Sequence, residues 1–316
     1  MPTRVFLTID TELMWRHHAA GLPTHEIVQR SLEPAGVGVA YQLATLARAG
    51  LKAVFFVDPM PALVHGLDHV TRVVAAILEA GQEVQLHLHP NWTGARAQDR
   101  TVHAPFELID HSAHEQRELI AGARELLIAA GAPDPVAFRA GSYAANDDTL
   151  AALASLGIPY DSSHNGAHHP WPSAIGLPAE RIAPIAHGGV IEVPVTLIRD
   201  GGGFRHFQLC ALSSAEMRDA LDHASAGDHA AVTIVSHGFE LANRAGTRAN
   251  AVHVRRFEAL CRMLAERRER LPTAHFADRP PLRLGCGDLP LAANGLRTRL
   301  RQAEQLWSNL VAERAA

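Results

Sequence analysis

Short β-branched or apolar runs alternate with helical stretches through most of the chain, a rhythm that predicts parallel strands joined by crossover helices. The strand segments are Val5–Ile9, Ala53–Val57, Glu83–Leu88, Val136–Phe138, Ile158–Tyr160, Val190–Val195 and Ala231–Val235. Helical periodicity covers residues 36–49, 70–80, 113–130, 146–156 and 213–226, and returns at 250–269 after the last strand. Ser112 with Glu115 and Ser213 with Glu216 have capping-box spacing. Gly50, Gly81, Gly131, Gly157 and Gly227 each follow a helical run, where a left-handed residue is wanted. Strict alternation of strand and helix predicts an α/β fold and a closed or nearly closed barrel, although an open doubly wound sheet has the same periodicity.

Residues 162–189 are rich in His, Gly, Pro and Trp and read as a long loop over one end of the barrel. Beyond residue 275 the βα rhythm stops, which divides the chain into a barrel, 1–275, and a C-terminal extension, 276–316. In that extension Leu296, Leu300, Ala303, Leu306/Trp307 and Leu310 fall on one face of a helix. The stripe is expected to pack on the barrel; a dimer contact or a membrane-surface contact is the alternative.

Composition narrows the class. With 47% apolar and 20% charged residues the chain reads as a globular domain. No apolar run approaches the roughly 18–20 residues of a membrane helix, so no span is expected. Lys and Arg number 29 against 33 Asp and Glu, without a long block of one sign, which disfavours binding a nucleic acid backbone by bulk charge. The start, Met1-Pro2-Thr3-Arg4, leads directly into the first strand and lacks a signal-peptide pattern. Three scattered cysteines, Cys210, Cys261 and Cys286, fit reduced thiols, so a cytoplasmic protein is expected. Histidine is abundant at 20 residues, so no single histidine motif means much.

Reactive groups of parallel βα folds collect at the C-terminal ends of strands. Here those ends carry Asp10-Thr11-Glu12, Asp58, His87-Leu88-His89-Pro90-Asn91-Trp92, Arg139-Ala140-Gly141-Ser142-Tyr143, Asp161-Ser162-Ser163 and Ser236-His237-Gly238, while strand six ends in Thr196. Residues i and i+2 of a strand share a face, so His87 and His89 can point at one cation, and Asp10 and Glu12 also share a face. Two imidazoles and a carboxylate with an open fourth position make a catalytic zinc set. The other carboxylate can accept a proton from water, an imidazole can protonate a leaving amine, and Arg139 can hold the base ionised. Hydrolysis of an amide or ester suits this combination.

In order, these motifs resemble the five of the polysaccharide deacetylase (NodB-homology, carbohydrate esterase 4-like) family, most closely its branch in bacterial surface-polysaccharide synthesis. The resemblance covers roughly residues 3–240 and implies a distorted (β/α)7 barrel. By it Asp10 matches the catalytic base, Glu12, His87 and His89 the metal ligands, Arg139 the arginine that steers the base, and His237 the acid. Asp161 falls where the family has an Asp that supports the histidine. The pattern departs from the family in three places. The histidines are spaced His-x-His, Glu12 stands where Asp is commoner, and Arg139 is followed by Ala-Gly-Ser-Tyr without the usual Pro-Tyr.

The resemblance implies a metal-dependent deacetylase, with Zn2+ or another divalent cation, acting on an N-acetylated (or O-acetylated) sugar of a surface polysaccharide or its precursor. Trp92 and Tyr143 are candidate substrate contacts; Trp92, beside the metal motif, either stacks on a sugar ring or is a core or rim aromatic. Asp58, before a proline, reads as a turn or cap residue; His164, His168 and His169 as solvated loop histidines, with lining the pocket as the alternative; and Gly201-Gly202-Gly203 as a flexible turn, followed by Phe204-Arg205-His206-Phe207, which is open to touching substrate. Two other readings use the same residues: a degenerate barrel that binds glycan or metal without turnover, and an amidohydrolase-type hydrolase of a small cyclic amide. An oligomer through the C-terminal helix is also open.

Overall fold

The structure is a computed structural model that describes residues 2–99 and 101–313, the last two by backbone alone. Its strands are β1 (Arg4–Thr11), β2 (Val54–Val57), β3 (Glu83–Leu88), β4 (Ala137–Ala140), β5 (Tyr160–Asp161), β6 (Ile185–His187), β7 (Val190–Glu192), β8 (Leu197–Asp200), β9 (Gly203–His206) and β10 (Ala231–His237). One curled sheet runs β10-β1-β2-β3-β4-β5-β7-β6. Every pairing in it is parallel except that of β6 with β7. All seven expected strands are present in barrel order, with the first paired to the last. Among the described residues no strand pair closes the wall between β7 and β10. The chain bridges the gap with single hydrogen bonds: Thr196 N to Thr233 O at 3.1 Å, Val235 N to Phe207 O at 2.9 Å and Leu209 N to Val235 O at 3.0 Å. This is the distorted barrel that the sequence predicts, with β6 and the β8–β9 hairpin added.

Alternation along β1 shows why the barrel forms. Val5, Leu7 and Ile9 join the large cluster beneath the surrounding helices, whereas Phe6 belongs to a separate cluster inside the barrel. A parallel strand buried on both faces carries apolar residues in either direction, so it reads as a nearly continuous run. The inner cluster fills the N-terminal end of the barrel with Phe6, Phe56, Tyr160 and Phe276. Phe276 lies just past the expected boundary at 275, and its ring stacks on Phe6 at 4.3 Å. The C-terminal end is left to polar side chains.

Both predicted capping boxes form, at Ser112/Glu115 and Ser213/Glu216. Gly50, Gly81, Gly131 and Gly157 adopt positive φ, but Gly227 sits at φ −82°, so the helix before it ends without a left-handed residue. The loop 162–189 is less exposed than expected. His164 is fully buried with its Nε2 3.1 Å from Pro178 O, and His168 and His169 are half-buried, so none of the three is a solvated loop histidine. Gly201 and Gly202 turn the β8–β9 hairpin.

The C-terminal helix Gly295–Ser308 docks the opposite way to the expectation. Arg297 pairs with Asp219 at 3.0 Å, Glu304 pairs with Arg256, and Asn250 donates to Ser308 at 2.9 Å. Leu296, Leu300, Leu306 and Trp307 point outward, at 69%, 57%, 64% and 63% exposure. The barrel surface under the helix carries Asp200, Glu216, Asp219 and Arg256, so the polar face of the helix is the one that fits it. No helix among the described residues is long and apolar enough to cross a membrane.

Candidate active site

Sheet register assembles the site. Asp10 on β1 is the register partner of both His237 on β10 and Phe56 on β2, and His87 on β3 is the partner of Arg139 on β4. These positions have the parity of the barrel interior, so their side chains converge at its C-terminal end.

Glu12, His87 and His89 bring one carboxylate oxygen and two ring nitrogens within 4.8 Å of one another. The Glu12 Oε2 atom lies 2.5 Å from His89 Nε2 and 3.8 Å from His87 Nε2. His87 donates from Nδ1 to the Arg139 carbonyl at 2.8 Å, which fixes the tautomer and turns the Nε2 lone pair toward Glu12. Burial pushes the His87 ring down to about 4, so it is neutral at pH 7. Burial would also lower His89 and raise Glu12, but their own pairing outweighs it: His89 rises to about 9 and Glu12 falls to about 2. The donor set, two imidazoles and a carboxylate, suits zinc.

Two backbone features shape this corner. A Cβ on Gly141 would lie 2.4 Å from the His89 ring, so only glycine lets that imidazole sit against the end of β4. Ser142 and Tyr143 follow at φ +55° and +60°, a conformation that costs side-chain-bearing residues about 1–3 kcal/mol each.

Arg139 is fully buried and uses its whole fork. It donates to Asp10 Oδ1 and Thr8 Oγ1, both at 2.7 Å, and to the Ser162 carbonyl and hydroxyl, both at 3.0 Å. Its guanidinium also lies over the Phe56 ring, 4.4 Å from the centroid. Asp10 Oδ2 is left facing His237 Nε2 at 3.9 Å.

Two residues stand elsewhere than their motifs imply. Asp161 is the register partner of Phe138 and Glu192, on the outward parity of the sheet, and accepts hydrogen bonds from Ser163 N and Oγ. It therefore does not support His237. The carboxylate beside that imidazole is Glu240, whose Oε2 is 3.8 Å from His237 Nδ1. Trp92 is 1% exposed and packs among Trp15, His18 and His65, which leaves it no free face for a sugar. Tyr143 is buried at the end of β4, where it stacks on His168 with centroids 5.6 Å apart and has His206 5.9 Å from it. Asp58 is the turn residue expected of it, accepting from Met60 N at 2.9 Å, and burial raises it to about 7.

Sequence reasoning missed Glu240 and Gln208, and named His206 only within a segment that could touch substrate. Gln208 donates to Glu240 Oε1 at 2.8 Å, stands 3.2 Å from His237 Nδ1 and accepts from His206 Nε2. The only trace in the sequence is the spacing of Glu240, three residues after His237.

No family model matches the chain, and no curated protein matches it in sequence. Solved structures do match. A protein assigned as a polysaccharide deacetylase from Mycobacterium smegmatis superposes with a TM-score of 0.56 at 18% identity, over 91% of this chain and 95% of that one. Another so assigned, from Pseudomonas aeruginosa, gives 0.56 at 15% identity over 87% and 89%. A 4-α-glucanotransferase from Thermococcus litoralis gives 0.50 at 10% identity over 89% of this chain and 39% of its own. The chain has the fold of these proteins. Because that fold also carries a glucanotransferase, the chemistry has to be argued from the site.

Proposed function

We propose that the chain is a member of the polysaccharide deacetylase family, a metal-dependent hydrolase that removes an acetyl group from an N-acetylated (or O-acetylated) sugar of a surface polysaccharide or its precursor. The observation that carries the reading is the meeting of Glu12, His87 and His89 beside the Asp10–His237 pair. Glu12, His87 and His89 would hold the divalent cation, zinc by the chemistry of the donor set. When bound, it would supply Lewis acidity to a carbonyl oxygen and make nearby water more acidic.

This chain's residues have the remaining work. Asp10, held by Arg139 through Oδ1, accepts the proton of the attacking water at Oδ2. The water oxygen adds to the acetyl carbonyl carbon, and the carbon–nitrogen bond then breaks. His237 Nε2–H gives its proton to the departing nitrogen, leaving acetate and a free amine. Burial pushes His237 down, but Glu240, Asp10 and Glu12 outweigh it and hold the ring at about 9, charged and ready to donate at pH 7. Tyr143 and His168 present stacked rings at the same end, where a sugar would lie.

A degenerate barrel has no use for a base, an acid and three ligand groups held in register. An amidohydrolase would carry its histidine pair on the first strand rather than on β3. The test is acetate release from N-acetylhexosamines by the zinc-loaded protein, with and without a chelator. Release that a chelator abolishes and zinc restores is expected; release indifferent to chelator, or none from any acetylated sugar, overturns the reading.

A further inference from the structure

We infer that Glu240, with Gln208, positions His237, each serving one protonation state of its Nδ1 atom. The inference rests on the deacetylase reading for the reaction it assists, but the geometry stands without it.

The Glu240 side chain is buried and pinned. Its Oε1 accepts from Gln208 Nε2 at 2.8 Å and from Cys210 N at 3.1 Å, and its Oε2 accepts from His237 N at 3.1 Å. The Glu240 backbone is fixed as well, its carbonyl accepting from His253 Nδ1 at 2.8 Å. A carboxylate anchored by three N–H groups retains acceptor capacity on Oε2, which faces His237 Nδ1 at 3.8 Å. That is longer than a hydrogen bond, as such contacts often are before substrate tightens a site.

The Gln208 amide is oriented by its neighbours. The NH2 group must face Glu240, and its oxygen accepts from His206 Nε2. Its second N–H lies 3.2 Å from His237 Nδ1. An amide N–H cannot donate to a protonated nitrogen, so a proton on Nδ1 has Glu240 Oε2 as its acceptor. The neutral ring left when Nε2 gives up its proton keeps its other proton on Nδ1, toward Glu240; in the neutral tautomer with the proton on Nε2 and Nδ1 bare, Gln208 can donate to Nδ1. The imidazole thus keeps one orientation through the cycle, with Nε2 directed at Asp10.

Asp10 and Glu12 from β1 and its end, Glu240 from its own turn and His206 from β9 act on His237, and Glu240 in turn meets the Cys210 thiol and the His253 ring. Burial lowers His206 to about 4, so it adds no charge at pH 7. Burial would raise Glu240, yet the His237 ring brings it down to about 2.

The test is the NMR titration of the His237 imidazole in the zinc-loaded wild type and in Glu240→Gln, assigned from the signal missing in His237→Asn. Alongside it, kcat and KM for acetate release are measured against pH. In Glu240→Gln the His237 midpoint is expected to fall by about one pH unit or more. The basic limb of kcat should move down with it, and kcat should drop about tenfold or more with KM within about twofold. Glu240→Asp keeps the charge on a shorter arm and is expected to recover most of both. A His237 midpoint unmoved in Glu240→Gln overturns the inference, and so do equal losses in Glu240→Gln and Glu240→Asp. Should Glu240→Gln not fold, Glu240→Asp decides: a partial drop in the midpoint supports the inference, and lost kcat with an unmoved midpoint overturns it. If the wild type releases no acetate, the deacetylase reading fails, and the titration still decides this one.

Discussion

Asp10 and His237 are register partners on adjacent parallel strands, with Asp10 Oδ2 standing 3.9 Å from His237 Nε2. Arg139 occupies the other oxygen of Asp10, so a single oxygen faces the place where chemistry would occur. Asp10→Asn keeps the shape and removes the base. Turnover is expected to fall by about 10²–10⁴ while metal content stays at the wild-type level, measured by elemental analysis alongside acetate release. Loss of metal in this variant would instead make Asp10 a ligand and undo the division of roles between it and Glu12.

Gly141 tests the same corner from the backbone side. Alanine there would place a methyl group 2.4 Å from the His89 ring and push the imidazole off its position beside Glu12. Gly141→Ala is expected to weaken zinc binding about 10- to 100-fold, read by competition with a chromophoric chelator, with an unchanged far-UV spectrum. Wild-type affinity in that variant would show that His89 is not a ligand.

Much of the barrel and its polar end is legible in the amino-acid order. Parallel strands buried on both faces write themselves as apolar runs, and the polar residues that follow them fall at one end of the barrel, which is how Asp10, Glu12, His87, His89, Arg139 and His237 can be singled out. The misplaced residues have physical reasons. β5 is two residues long, too short to fix parity by counting, and one residue's offset turns Asp161 to the other face. Trp92 is covered by Trp15, His18 and His65 from two other segments, which no local pattern announces. Glu240 and Gln208 are single polar residues in turns, and their meeting depends on the bridge between Gln208 and Val235 that spans the open seam of the barrel.

Histidines held neutral by full or partial burial are expected to make the fold acid-labile. Burial lowers His17, His65, His69 and His164 to about 4 from an ordinary 6.5. Between those values the unfolded chain binds protons that the folded chain refuses, so stability present above pH 6.5 is lost as pH falls toward 4. A melting temperature that drops across this window is expected, and His164→Gln should flatten the slope because its ring is fully buried. An unchanged slope in His164→Gln would mean that His164 accepts its proton in the folded state.

The inverted docking of the C-terminal helix sets two groups of substitutions against each other. Arg256 is buried and donates to Glu304 and to the Cys210 carbonyl. Glu304→Ala leaves that guanidinium without its carboxylate beneath the helix. Because the Glu304 side chain is 38% exposed, the full penalty of a broken buried pair does not apply, and about 1–3 kcal/mol of destabilisation is expected. Protease cleavage before Gly295 should quicken in parallel. Leu300→Ala and Leu306→Ala remove large apolar groups, yet their side chains already face water, so each should change stability by about 0.5 kcal/mol or less. Were the helix seated by its leucines, as its periodicity suggests, the order would reverse: the leucine variants would free the helix and Glu304→Ala would barely matter. Thermal melts and limited proteolysis of the three variants therefore read out which face of the helix meets the barrel.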